Sequence, residues 1–243
     1  MQYFPERITS LEIKPIAYIR TDFPEKFGIP CQSNLIKGLI GRIIFEPEFR
    51  NPDALRGLRG FSHMWLLWEF EGVKREAFHA TVRPPRLGGS ERVGVFASRS
   101  PFRPNPIGLS CVRLIDIEDD DKSGPVLVVE GADLRDMTPI YDIKPYVPYT
   151  DCHSDALEGF TSMTQGDRLK VSISEELLGR IPEEKREPLI AVLARDVRSS
   201  SKDKSAGMAF AGLNIRFVVD DDRLTVVDVQ KYEPPQSREA SQE

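Results

Sequence analysis

The chain has 243 residues, enough for one large domain or a main domain with a smaller one, and a formal net charge of −5. That balance excludes a surface that grips nucleic acid everywhere, and no apolar run approaches membrane-spanning length. Three widely spaced cysteines (Cys31, Cys111, Cys152) form neither a disulfide framework nor a C-x-x-C pair, and three histidines are too few for a His-rich centre, so no metal is expected. No signal-peptide pattern opens the chain, which is expected to be soluble and cytoplasmic, away from any membrane.

In chain order, residues 12–20 alternate as a strand that Pro15 places near an edge, and residues 35–45, with Gly38 and Gly41, predict a bent strand. Between them lies a polar loop, Gly28-Ile29-Pro30-Cys31-Gln32-Ser33-Asn34. Asn51-Pro52 followed by Gly57 predicts a short capped helix. Residues 61–70, the most apolar run, fit a buried strand, with His63 as a core histidine. Residues 93–97, 108–117 and 125–132 predict further strands, the last two joined by an acidic turn. The first 150 residues therefore predict a mainly β chain, closed into a β-barrel.

Residues 152–166 carry little pattern and read as a linker. Beyond it come a strand (167–174), a helix from Glu175, a longer helix (183–197) with Pro182 and Pro188 at breaks, and two strands (208–219, 224–232). The expected organisation is a barrel domain over residues 1–155, a small α+β domain over 156–235 and a disordered tail over 236–243.

Chemistry concentrates in the loops. Residues 96–110 (FASRSPFRPNPIGLS) hold three prolines in six residues, which fix φ, remove donors and push Ser100, Arg103 and Asn105 toward extended geometry. The result is either a stiff loop presenting Arg99, Arg103 and Asn105 or an ordinary proline-rich crossover. From Thr81 to Arg113 the chain has Arg83, Arg86, Arg92, Arg99, Arg103 and Arg113 against Glu91 alone, a net +5 on an acidic protein. Arginine suits bidentate phosphate and carboxylate contacts. A second proline-punctuated segment carries Asp142, Lys144, Tyr146, Tyr149 and Asp151. Neither G-x-x-x-x-G-K-[ST], G-x-G-x-x-G nor G-x-S-x-G occurs. Residues alone thus point to RNA or nucleotide binding, arginines holding phosphates and tyrosines stacking bases, with no reaction specified. A non-catalytic RNA-binding barrel fits, and so, on charge alone, does a metal-free phosphodiesterase.

Four segments in order, 26–32 (KFGIPCQ), 81–89 (TVRPPRLGG), 96–110 and 142–149 (DIKPYVPY), resemble the TrmO family, and the C-terminal part is similar to that family's second domain. The resemblance implies an S-adenosylmethionine-dependent tRNA methyltransferase acting on N6 of threonylcarbamoyladenosine 37, chiefly in threonine tRNA, as a homodimer with its cofactor sites near the dimer interface. Carried onto this chain, the family's cofactor positions fall on Pro30, Cys31 and Gln32, on Phe70 and Glu71, on Arg99 and Leu109, and on Gly131, Ala132 and Asp133. Cys31 stands where many relatives have Arg, so only backbone contacts carry over there. On physical grounds Asp133 can pair with the cofactor's ammonium, Arg99 with its carboxylate or with tRNA phosphate, and Phe70 or Leu109 can pack on adenine. Asp142 or Tyr146 is a candidate acceptor of the N6 proton, and Asn105 can accept from that N–H instead. Arg83, Arg86, Arg103 and Lys144 are expected to face tRNA.

Overall fold

The structure, a computed structural model, describes residues 11–73, 78–84, 87, 91–163, 168–198 and 204–234. Eight strands come first: β1 (Ala17–Arg20), β2 (Ile40–Phe45), β3 (His63–Glu69), β4 (Thr81–Val82), β5 (Val93–Gly94), β6 (Ile107–Asp120), β7 (Gly124–Glu130) and β8 (Thr138–Pro145). After the one-turn helix α1 (Pro148–Asp151) come β9 (Lys170–Ser172), α2 (Glu175–Gly179), α3 (Glu183–Leu193), β10 (Ser205–Phe210), β11 (Leu213–Asp220) and β12 (Arg223–Lys231). The chain is mainly β.

Strands β1-β2-β7-β6-β3-β8 pair antiparallel in that order, and β8 pairs back onto β1, so the ring closes without a free edge. Period-two alternation sets which side chains fill it. In β3, Met64, Leu66 and Trp68 point inward, while Trp65, Leu67 and Glu69 face out. Ile19, Ile43, Val112, Leu127, Val129 and Ile140 complete the buried core. Each such side chain contributes roughly 1.5–3 kcal/mol by leaving water.

A second sheet, ordered β10-β11-β12-β9 with β9 parallel to β12, packs on α2 and α3 over a separate core. That core includes Phe23, Ile36 and Leu39, which come from the loop between β1 and β2. The same loop is tied to the second sheet and its helices by polar contacts. Lys185 Nζ donates to Asp22 Oδ2 at 2.6 Å, the Ala211 N–H to the Asp22 carbonyl at 2.8 Å, Tyr232 Oη to Glu25 Oε1 at 2.9 Å and Arg195 Nη2 to the Leu35 carbonyl at 3.2 Å.

Several elements differ from the sequence expectation for local reasons. The first strand starts at Ala17, beyond Pro15, which has no N–H to donate to a ladder. Residues 35–39 are loop: a Cβ on Gly38 would lie 2.8 Å from Pro188 Cγ, and that close approach folds the segment onto α3. The run 208–219 divides into β10 and β11 at Ala211-Gly212, both with positive φ (49° and 75°), the signature of a two-residue type I′ turn. Residues 95–97 form a 3-10 turn rather than strand, and Asn51 caps only one 3-10 turn, accepting from the Asp53 N–H at 3.0 Å. His63 is half-buried at the start of β3, its Nδ1 2.9 Å from Ser62 Oγ, and is not a core residue. The expected tail at 236–243 lies outside the described residues.

One glycine fixes the packing of the barrel end. A Cβ on Gly108 would lie 2.3–2.6 Å from the Trp68 ring, which fills the space opposite it. Gly108→Ala is therefore expected to displace the indole and lower stability by about 3 kcal/mol, read as a drop in the urea midpoint at unchanged slope.

Candidate active site

The site forms where β7 leaves β6. The two strands stay paired as far as Arg113 opposite Glu130, and Gly131, at φ 85°, then turns the chain away. Its N–H donates to the Leu39 carbonyl and its own carbonyl accepts from the Asn34 N–H, both at 2.9 Å. A side chain is excluded there, since a Cβ would meet Asn34 Oδ1 at 2.5 Å. The stretch of β6 from Ile107 to Cys111 loses its neighbour on that side. Ser33 and Asn34 replace it at one rung: the Cys111 N–H donates to Ser33 Oγ at 3.2 Å, and the Cys111 carbonyl accepts from Asn34 Nδ2 at 3.0 Å. In an antiparallel ladder alternate residues point their N–H and C=O the same way, so those of Leu109 face the same seam. Among the described residues no bond reaches them from that side. Leu109 is 54% exposed.

Into the seam points Asp133. Ser110, a polar residue buried on the inward face of β6, donates to Asp133 Oδ1 at 2.5 Å and accepts from Trp68 Nε1 at 2.9 Å. Burial pushes the Asp133 carboxyl above its ordinary 3.8, while the Ser110 hydrogen bond and the Arg99 charge pull it down. Arg99 Nη1 donates to Gln32 Oε1. The Trp68 ring lies 4.3 Å from Phe70, whose N–H donates to the Pro106 carbonyl at 2.9 Å. Glu71 pairs with Arg135, and its carbonyl accepts from Lys26 Nζ at 2.6 Å. Four loops separated in sequence thus converge: 26–34, 70–71, 99–110 and 131–135.

The proline-rich loop is held mainly by its own side chains. Ser98 Oγ donates to the Val95 carbonyl, and Arg103 Nη1 donates to the Ser98 carbonyl, each at 2.9 Å. Asn105 is exposed, and its carbonyl closes a tight turn with the Ile107 N–H at 2.8 Å. Pro30 is half-buried, Cys31 is exposed, and Ala132 is buried beside Gly131.

The other candidates lie on the barrel exterior. Asp142 stands in one row across β8, β3 and β6 with Leu67 and Leu109, two strand spacings or roughly 10 Å from Leu109. Its Oδ2 lies 2.7 Å from Lys144 Nζ, and its Oδ1 accepts from the Ile143 N–H at 2.9 Å. Tyr146 lies 5.6 Å from Trp65 and 6.2 Å from His63, ring centre to ring centre. Partial desolvation, then Cys152, raises its phenol, which stays protonated at neutral pH. Arg83 is exposed just after β4, and Arg86 lies outside the described residues.

Trp68, Ser110, Arg135 and the Ser33–Asn34 pair escaped the sequence reading. For Ser110 a signal existed, a hydroxyl at an inward position of an apolar strand, which demands a partner. Tyr141 was also missed: it donates to Glu69 Oε2 across the barrel exterior, and burial together with that carboxylate pushes its phenol up to about 12.

Comparison with known proteins defines the class. A family model described as the tRNA-methyltransferase O N-terminal domain matches residues 18–152. Over 225 residues the chain is 36% identical to the tRNA (adenine(37)-N6)-methyltransferase of Escherichia coli K12, covering 88% of this chain and 95% of that one. It is 36% identical over 147 residues, 60% of this chain and 74% of the other, to a Pyrococcus abyssi protein named "Probable S-adenosyl-L-methionine-binding protein". The solved structure of TrmO from Pseudomonas aeruginosa superposes with a TM-score of 0.75 at 33% identity, covering 94% of this chain and all of that one. These matches and the fold define an S-adenosylmethionine-dependent tRNA methyltransferase. The chain belongs to the TrmO family, the tRNA (adenine(37)-N6)-methyltransferases.

The raised Asp133 carboxyl gives a testable sign. A carboxyl with a raised folded pKa makes the native state bind more protons than the unfolded chain, so its contribution favours folding at low pH. That contribution disappears as pH rises from 3.8 through the folded value. Asp133→Asn is therefore expected to flatten this part of the stability–pH curve and to be relatively more stable than wild type at pH 7. Urea titrations across pH 3–8 check this.

Proposed function

We propose that this chain transfers the methyl group of S-adenosylmethionine to N6 of threonylcarbamoyladenosine at tRNA position 37, chiefly in threonine tRNA, as a cytoplasmic homodimer. The observation that carries this reading is the convergence at the β6–β7 seam of residues proposed for the cofactor from four separate loops.

The donor set fits such a cofactor. Asp133 offers a half-buried carboxylate to the ammonium and the sulfonium, and Arg99 a guanidinium to the carboxylate. Phe70 and the exposed Leu109 side chain offer apolar surface to adenine, while the Leu109 N–H and C=O offer its edge a donor and an acceptor. Pro30, Cys31 and Gln32 contribute from the loop that bonds Gly131 through Asn34, and Gly131 and Ala132 from the turn after β7. Glu71, held by Arg135 and Lys26, fixes the rim. When bound, the cofactor supplies an electrophilic methyl group on a sulfonium.

The protein's task is alignment: the loops hold N6 in line with the methyl carbon and keep it there. The carbamoyl group delocalises the N6 lone pair, so removing its proton assists attack. Asp142, paired with Lys144, accepts that single proton; in its place Tyr146, whose phenol stays protonated, or Asn105 accepts a hydrogen bond from the N–H and orients it. Arg83, Arg86 and Arg103 hold phosphates, with the second sheet and its helices as a further tRNA contact.

Purified protein is expected to consume S-adenosylmethionine with threonylcarbamoylated tRNA and not with unmodified transcript. Equal rates on both would overturn the substrate assignment. Arg99→Ala is expected to weaken the cofactor Kd roughly tenfold with the melting temperature unchanged, because Ser98, Arg103 and the prolines, not Arg99, hold the loop. An unaltered Kd in a calorimetric titration would assign Arg99 to architecture.

A further inference from the structure

Outside the seam, the short β4–β5 ribbon carries an unexplained pair of aromatic rings. Phe78 and Phe96 stack with centroids 6.4 Å apart and planes 26° apart, yet they are 61% and 75% exposed. Two adjacent phenyl rings left in water form an apolar patch that calls for a partner. The ribbon beneath them is firmly rooted. Val82 and Val95 are buried, and the Val95 N–H donates to the Ala80 carbonyl at 2.9 Å, which sets the two phenylalanine segments side by side.

The surroundings state what kind of partner fits. Arg83, Arg92 and Arg99 are all exposed, and Arg92 Nη1 is held along the ribbon by Thr81 Oγ1 at 3.1 Å. Glu91 is the sole acid between Thr81 and Arg113. A second copy of the same surface would set like charges against one another, which disfavours self-association there. A π face on a ribbon whose exposed cations are all arginines is instead the chemistry that receives an unpaired nucleobase with its phosphates. Phe96 also lies three residues from Arg99, at most roughly 10 Å along the chain, so the platform adjoins the seam.

We propose that Phe78 and Phe96 form a stacking platform for an unpaired tRNA base next to the adenosine being methylated. The platform deepens the tRNA-methyltransferase reading and rests on it. Phe78→Ala and Phe96→Ala, singly and together, test it in the full chain. The expected result is a KM for tRNA raised about fivefold or more, with kcat, cofactor affinity and sedimentation mass unchanged. Phe96→Trp, which keeps a π face, retains the wild-type KM, whereas Phe96→Leu, apolar but without one, behaves as the alanine variant does. An unchanged KM in the double variant, or equal values for the Leu and Trp variants, overturns the proposal. A fall in sedimentation mass overturns it too and reassigns the patch to a contact between copies of this chain. Oligoadenylate binding by fluorescence anisotropy needs no turnover and separates the two readings. If the wild type binds it through the phenylalanine pair but methylates no tRNA, the functional reading fails and the platform stands. If binding is the same in the double variant, the platform fails alone.

Discussion

The constraint on which the site depends is the departure of β7 from β6 after Glu130. Glu130 is the last common rung, and its carboxylate braces both sides of the opening, accepting from the Gly38 N–H at 2.8 Å and pairing with Arg113 at 3.3 Å. Had β7 continued, the Leu109 edge would be spent on a ladder and Asp133 would lie on a strand rather than at the mouth of the seam. The opened rung at Cys111 is not left unpaired, because an orphaned backbone group costs free energy comparable to a lost hydrogen bond. Two side chains from the 28–34 loop take up its donor and acceptor, so the contact that repairs the barrel also delivers that loop to the site.

The second sheet has a role that its position in the sequence conceals. The stem of the 28–34 loop is clasped by it and its helices on both sides, through Asp22, Phe23 and Glu25 before the tip and Leu35, Ile36 and Leu39 after it. A Cβ on Gly28 would lie 2.9 Å from Met208 Cε, which shows how closely the backbone meets β10. Polar tips presented on packed stems are a common way to combine precision with access. Pro30, Cys31 and Gln32 thus owe their placement to residues more than 140 positions away.

Local chemistry made part of this legible in the sequence. Period-two alternation gives the inward face of β3, and prolines mark the stiffness of the 96–110 loop, because both act within a few residues. The seam was not legible. It depends on a positive φ at Gly131 and on Ser33 and Asn34 reaching 77 or 78 residues along the chain. The Ala211-Gly212 turn was missed because alanine carries no turn signal, and only the pairing of β10 with β11 enforces its positive φ. Arg99 stood out from its proline loop, while its cofactor role and Asp133 came from family resemblance; that Ser110 and Trp68 brace Asp133 emerges only once β3 and β6 lie side by side.

The shared core of Phe23, Ile36 and Leu39 has a thermodynamic consequence. A loop whose stem is part of a hydrophobic core cannot melt without weakening that core, so order at the tip and integrity of the second sheet belong to one cooperative unit. Any molecule that binds the ordered tip and not the disordered one must then add its binding free energy to the stability of a sheet it never touches. By reciprocity, whatever steadies that sheet tightens the grip of the tip by the same factor.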